Sequence, residues 1–374
     1  MELLSLFSDF TLRTVALGAA LLGVVSGCLG VFAVLRQQSL LGDTLSHAAL
    51  PGVCLGFLLA GSRQLVPIMI GALLAGAVAA LLVLLFVHRS RLKSDASLGI
   101  VLSVFFAVGT VLLTFIQHHR GASQAGLDAF LFGQAASLLP GDVRVMAVVG
   151  AAAVGMVALL WKEFKLVTFD PLYARSLGMP VAMLEALLTI MIALAVVIGL
   201  QLVGVILMAA MVIAPAAAAR QWSRNLGAMV VLSAVFGSLS GVVGALASAS
   251  TRGLATGPVI VLCATLFAVV SLLFAPGRGL VWAQWASLQN RTRLRARRVL
   301  LSLDALAKEH QDPSYASEQG MLDALHGVDT KAALRRLETQ GMVRRASHMR
   351  EEGEHWTLTP AGQREAERLS EEAP

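Results

Sequence analysis

Residues 14–61 read TVALGAALLGVVSGCLGVFAVLRQQSLLGDTLSHAALPGVCLGFLLAG, two apolar runs separated by the polar break Arg36, Gln37, Gln38. The first run, 14–35, is long enough to cross a bilayer, which takes about 20 apolar residues in helical form. The second, 44–61, is shorter; it directly follows Asp43 and contains His47 and Pro51. Comparable runs lie near 65–87, 97–117, 145–161, 181–200, 202–219, 226–249 and 257–275. With 57% hydrophobic residues the chain exceeds what a soluble core uses, and its mean hydropathy of +0.76 agrees. In lipid only closed barrels and helices satisfy every backbone polar group, and runs of this length predict helices. The expected fold is therefore an all-α polytopic membrane protein with eight or nine transmembrane helices. The first run lacks a basic region ahead of it beyond Arg13 and has no convincing processing site, so it is expected to remain as a span.

Charge divides the chain near residue 285. The last 89 residues hold 14 basic and 14 acidic residues, so the net +6 belongs to the apolar part. Basic clusters there, at 35–38, 88–95, 161–165 and 220–225, fall on alternate sides of successive spans. The positive-inside rule turns them to the cytoplasm and sends the chain after the last span inward. Cys28, Cys54 and Cys263 each lie within an apolar run and read as packing residues rather than as a disulfide or thiolate site. Small residues at helical spacing, as in GSLSGVVGAL at 237–246, suit close helix packing. Residues 118–142 bracket a short apolar piece with polar ends, which predicts a surface or re-entrant helix on the outer side.

An ionisable side chain inside a span usually faces a cavity or a partner. Asp43 and His47, four residues apart, fall on one helix face about 6 Å from one another, within reach of one divalent cation of the Mn²⁺, Fe²⁺ or Zn²⁺ kind. Pro51 removes the helical donor to the carbonyl of His47 and predicts a bend there. On spacing alone, an acid and a histidine that simply bond one another fit equally well.

The stretch VLRQQSLLGDTLSHAALPGVCLGFLLAG at 34–61 resembles the signature of the manganese/zinc/iron-type permease family of ABC importers. AGLDAFLFGQAASLL at 125–139, FDPLYARSLGMPV at 169–181 and GLQLVGVILMAAMVIAPAAAAR at 199–220 are similar to family stretches in the same order. The likeness spans about residues 5–276. It implies that Asp43 and His47 contact the transported ion, which is cargo, with no resident cofactor. It also implies an ATP-binding subunit, an extracytoplasmic metal-binding protein, a second permease subunit, and a place in the bacterial inner membrane. No phosphate-cradling G-x-x-x-x-G-K-[ST] motif occurs, so ATP is expected to be handled by another chain. Between KEFK and the next span, Asp170 can cap a short helix over Pro171, and Gly178 and Pro180 can end it. By the resemblance this is the coupling helix that meets the ATPase, with Asp170 as its cap and Tyr173, Ala174, Arg175, Leu177 and Gly178 as contacts.

The remainder divides into an Arg-rich juxtamembrane linker at 279–298 and a soluble domain at 299–374, after a transmembrane domain at 1–278. RTRLRARR at 291–298 suits anionic lipid headgroups. Helices are expected near 297–309 and 315–326, then one capped by Thr330 and stopped by Gly341, two strands, and a closing helix. That order, with LRRLETQGMVRR and WTLTPAGQREA, resembles the winged-helix (α+β) modules of bacterial metal-dependent repressors. Arg335, Arg336, Arg344 and Arg345 would then be the DNA contacts. The segment is charge-neutral, so nucleic acid is a weaker expectation than a regulatory or protein-contact role. His326, His348 and His355 are candidates for metal sensing. Two other readings are a permease for a larger iron chelate and a membrane-tethered winged-helix regulator. An intramembrane enzyme is disfavoured, because the sequence has no HExxH pair and no nucleophile elbow.

Overall fold

The structure, a computed structural model, describes residues 10–60, 65–119, 133, 138–250, 254–276, 278–346 and 353–371. Its contacts divide the chain into two compact units, Met1–Gly279 and Leu280–Pro374. The first contains α1 (Phe10–Leu35), α2 (Leu41–Ala60), α3 (Leu65–Arg89), α4 (Ser94–His119), α5 (Pro140–Leu159), α6 (Trp161–Phe169), α7 (Pro171–Ser176), α8 (Val181–Val203), α9 (Val205–Trp222), α10 (Leu226–Ser250) and α11 (Thr256–Phe274). Among the described residues eight of these, all but α6, α7 and α9, are long and apolar enough to cross a membrane.

The bundle closes by glycine. α1 lies along α10, and a methyl placed on Gly23 would sit 2.2 Å from the Gly237 carbonyl oxygen. One turn on, the Ser233 hydroxyl donates to the Gly27 carbonyl at 2.8 Å. Without a hydrophobic drive between helices in lipid, such close backbone approach and interhelical hydrogen bonding supply the association. This is the packing expected from the small residues near 237–246.

Several boundaries differ from the sequence reading. α2 begins at Leu41, three residues early, because the chain reverses tightly at Gln37 (φ +57°) and the Gln38 amide donates back to Ala33. Asp43 thereby enters the first turn of α2, which continues through Pro51 as one helix. α5 starts at Pro140 rather than 145, since Asp142 accepts from the Leu139 amide at 3.0 Å and Pro140 takes the first helical position. The helix expected across 118–142 falls largely on 120–132 and 134–137, outside the described residues. The run expected at 202–219 is α9, separated from α8 by the single residue Gly204 (φ +89°).

The second unit holds α12 (Leu280–Glu309), β1 (Ser317–Glu318), α13 (Gln319–His326), α14 (Lys331–Thr339), β2 (Val343–Ala346), β3 (His355–Leu358) and α15 (Pro360–Glu371). The expected linker at 279–298 is instead the first half of α12, because no Gly or Pro interrupts residues 280–309. The helix expected from 315 starts at Gln319, since Ser317 and Glu318 pair with Trp356 and His355. The small sheet is antiparallel in the order β1-β3-β2. Its core joins Leu300, Leu303, Leu322, Leu334, Leu337 and the fully buried Trp356. Thr330 does not cap α14 with its own side chain. Its amide and hydroxyl both donate to Asp323 at 2.6 Å, while Asp329 accepts from the Lys331 amide.

Candidate functional site

α2 is buried on most of its circumference. Its less buried stripe carries Asp43, His47, Leu55 and Leu59 at four- and eight-residue steps. The His47 Nε2 lies 3.3 Å from Asp43 Oδ1, with the imidazole side chain 20% and the carboxylate 36% exposed. His47 Nδ1 is buried and has no partner among the described residues, and its ring meets Phe106 of α4 edge-on at 4.9 Å between centroids. The sequence spacing thus becomes a real juxtaposition, an oxygen and a nitrogen donor on the open side of a helix otherwise enclosed by protein. Among the described residues no group of three or more His, Cys, Asp or Glu gathers to hold an ion.

Seven residues before Asp43 the sequence reading missed a charged cluster. Arg36 Nη2 lies 3.3 Å from Glu185 Oε1, and His88 Nε2 lies 3.1 Å from Glu185 Oε2. The Arg36 and Glu185 side chains are only 9% and 14% exposed. The cluster ties the ends of α1 and α3 to the start of α8. Each nitrogen of His88 faces an acceptor, Glu185 on one side and the Leu84 carbonyl at 2.9 Å on the other. The available signal was a lone Glu four residues into an apolar run, unaffordable in lipid without partners.

α8 is preceded by α6 and α7. Asp170 Oδ1 accepts from the Tyr173 amide at 2.9 Å, Pro171 fills the first helical position, and Gly178 (φ +76°) ends the element. Tyr173, Arg175, Leu177 and Gly178 are exposed, whereas Ala174 is wholly buried and so cannot touch another chain from this position. Leu172, 74% exposed, was not among the expected contacts and supplies the most apolar surface of the loop. Behind it, Phe32 of α1 packs edge-on against Trp161 and Phe164 of α6, with centroids 6.4 and 6.1 Å apart.

In the second unit, Arg335 is exposed and Arg336 half-buried. Arg345 is engaged by Glu338 at 3.3 Å and Glu354 at 3.4 Å, and lies 5.1 Å over the Trp356 ring. Arg344 donates to Thr357 Oγ1 at 3.3 Å. His326 has its Nε2 buried without a partner among the described residues, His355 Nδ1 lies 3.2 Å from the Gly353 carbonyl, and His348 lies outside the described residues.

The profile of the ABC 3 transport family matches residues 8–275. The chain belongs to that family. As an ABC 3 protein it is 48% identical over 286 residues to the manganese transport system membrane protein MntC of Bacillus subtilis, covering 76% of this chain and 66% of that one. It is 45% identical over 283 residues to the zinc transport system membrane protein TroC of Treponema pallidum, covering 76% of this chain and 95% of the relative. Among solved structures, PsaBC from Streptococcus pneumoniae in complex with Fab is similar at 35% identity with a TM-score of 0.65, over 75% of this chain and 97% of that chain. The ABC 3 match stops at residue 275, just before the second unit begins.

Proposed function

We infer that this ABC 3 protein is the membrane-spanning subunit of an importer for a divalent metal ion, Mn²⁺, Zn²⁺ or Fe²⁺, in the bacterial inner membrane. The observation that carries the reading is the Asp43–His47 pair, a carboxylate and an imidazole on the less buried stripe of a span in a family whose relatives here are named for manganese and zinc transport. An ion leaving water needs its hydration replaced by fixed ligands, and this pair supplies one oxygen and one nitrogen. Two ligands are too few for a complete shell. A second permease subunit related by a two-fold axis would double them to four. An extracytoplasmic binding protein delivers the ion, and a separate ATP-binding subunit drives the cycle.

The α7 loop fits the surface that meets the ATPase, since a capped, two-turn element presents Tyr173, Arg175 and Leu177 outward beside Leu172. The basic loops favour a cytoplasmic position for α7 and for everything after Gly279. The helix, strand, helix, helix, strand, strand, helix order of the second unit supports a winged-helix reading of it. Because Arg345 is held by two carboxylates and Arg344 by Thr357, a regulatory or protein-contact role fits it better than DNA binding.

Uptake of radioactive Mn²⁺ or Zn²⁺ by the assembled transporter tests the reading. Asp43→Ala and His47→Ala are each expected to lower uptake by at least about 100-fold while subunit assembly persists. Arg175→Glu is expected to abolish metal-stimulated ATP hydrolysis without unfolding the bundle. Full uptake in both site variants would refute the metal site, and unchanged ATP hydrolysis in Arg175→Glu would refute the docking loop.

A further inference from the structure

The open surface of α4 is sorted by helical phase. Ser103, Ala107, Thr110, Thr114 and Gln117 fall along one line at three- and four-residue steps, and His118 closes its far end. Val104, Val108, Val111 and Phe115 fall along the adjoining line. Both lines are open: Ser103, Ala107, Thr114, Gln117 and His118 are exposed and Thr110 is half-buried, while all four apolar residues are exposed. A span wetted only by acyl chains has no reason to separate its exposed face in this way. Polar groups in a span collect where they meet water or protein.

The hydroxyls are oriented. Ser103 donates to the Gly99 carbonyl, Thr110 to the Ala107 carbonyl and Thr114 to the Thr110 carbonyl, each at 2.9 Å. With each proton spent on its own helix, each oxygen offers only lone pairs outward. The water molecules around a cation point their hydrogens away from it, so a row of acceptors suits a hydrated cation and repels a hydrated anion. The row also has a destination. α2 and α4 run side by side in the same direction, with Thr44 donating to the Leu98 carbonyl at 3.4 Å and Cys54 approaching the Gly109 carbonyl at 3.8 Å. Phe106, on the flank of the polar line, touches His47. At the other end Thr110, Val111, Thr114, Phe115 and His118 line a cavity of about 570 Å³. Six waters at their liquid share occupy about 180 Å³, so a hexahydrated ion fits with room to pass.

We propose that the Ser103–Thr110–Thr114 face of α4, with His118 at its mouth, is the wet approach along which a hydrated divalent cation reaches Asp43 and His47. This rests on the metal-import reading given above. The row handles the ion through its water shell, and direct ligation begins at the acid and the imidazole.

Single cysteines at the three polar positions and at Val104 and Val108, which lie outside the cavity lining, test it, in the assembled transporter with Cys28, Cys54 and Cys263 replaced by alanine. A cationic, membrane-impermeant methanethiosulfonate is the probe. The reagent is expected to modify Ser103→Cys, Thr110→Cys and Thr114→Cys at least about tenfold faster than the valine-line cysteines, since a charged reagent is excluded from lipid. Millimolar Mn²⁺ is expected to slow the reaction. Equal rates on both lines, or fast modification that Mn²⁺ does not slow, would overturn the proposal. In the chain with its native cysteines, Thr110→Val with Thr114→Val is expected to raise the KM for Mn²⁺ uptake, and Thr110→Ser with Thr114→Ser to restore it. An unchanged KM in the valine pair also overturns it. Normal uptake in Asp43→Ala and His47→Ala alongside fast, Mn²⁺-protected labelling would sink the metal site and leave the approach standing. Loss of uptake in those variants with no difference between the lines would do the reverse.

Discussion

A charged side chain within a span is tolerated only with partners, and the residues of this chain meet that demand in two different ways. Glu185 has its partners fixed in place: Arg36 and His88, contributed from two other helices. Among the described residues Asp43 has one, His47, whose second nitrogen is left unpartnered. The first arrangement closes on itself, and the second leaves a donor or acceptor atom of His47 over. Replacing Glu185 by Gln is accordingly expected to leave Arg36 buried without its counter-charge and to destabilise the bundle by about 3 kcal/mol. Thermal unfolding of the purified transporter would register the change, and Arg36→Lys, which keeps the charge, is expected to retain more of the stability than Glu185→Gln. An identical midpoint in Glu185→Gln would show that the cluster is not what holds the three helix ends. Asp43 and His47 were legible from their four-residue spacing. The Glu185 cluster was not, because its members lie at positions 36, 88 and 185 and only folding brings them together.

Elements were legible where composition alone forces them. A run of about 20 apolar residues has only one way to satisfy its backbone in lipid, so the spans followed directly from hydropathy. Their ends did not, because ends are set by local hydrogen bonds that shift a boundary by several residues without altering the apolar count. The Asp142 bond that starts α5 early and the reversal at Gln37 are two such cases. How helices pair depends on backbone approach. A methyl on Gly23 meets the facing backbone, whereas one on Gly155 of α5 meets nothing within 4 Å. Gly23→Ala is expected to force α1 and α10 apart at a cost of about 1–3 kcal/mol. Gly155→Ala is expected to be neutral or to stabilise by about 0.5 kcal/mol through helix propensity. Melting curves for the two variants check the contrast, and equal behaviour would count against close packing at the α1–α10 seam.

At the scale of the whole molecule the chain joins two cores that differ in kind. The first is a membrane bundle whose family profile ends at residue 275, and the second is a small unit packed around Trp356. Because each buries its own apolar residues, a chain ending at Gly279 is expected to insert and to import metal, with loss of regulation rather than of transport. Absence of uptake by that truncation would show that the second unit is needed for the cycle itself. Within that unit, hydrogen bonds from the Thr330 hydroxyl, the largest effect, and from its amide hold the Asp323 carboxyl below the usual carboxylate range. A depressed folded value stabilises the unit above the unfolded value near pH 4 and loses that contribution as pH falls through the folded one. Circular dichroism of residues 280–374 is expected to show acid unfolding at lower pH in the native sequence than in Asp323→Ala, which lacks the titrating carboxyl. Asp323→Ala is expected to cost about 1 kcal/mol at neutral pH, as loss of a helix-entry hydrogen bond does.

That most of the chain crosses a membrane as helices, that a second segment of different composition follows, and that Asp43 and His47 share one helix face could all be read from residue order. These follow from hydropathy, charge and the 3.6-residue period, which are local properties of a chain. Folding alone sets which of α2's faces stays open, that Arg36, His88 and Glu185 meet, and that Phe106 of α4 lies against His47. The reason is that burial and partnership are set by which helices pack together, and in lipid that choice rests on backbone approach between glycines far apart in the chain rather than on any local pattern.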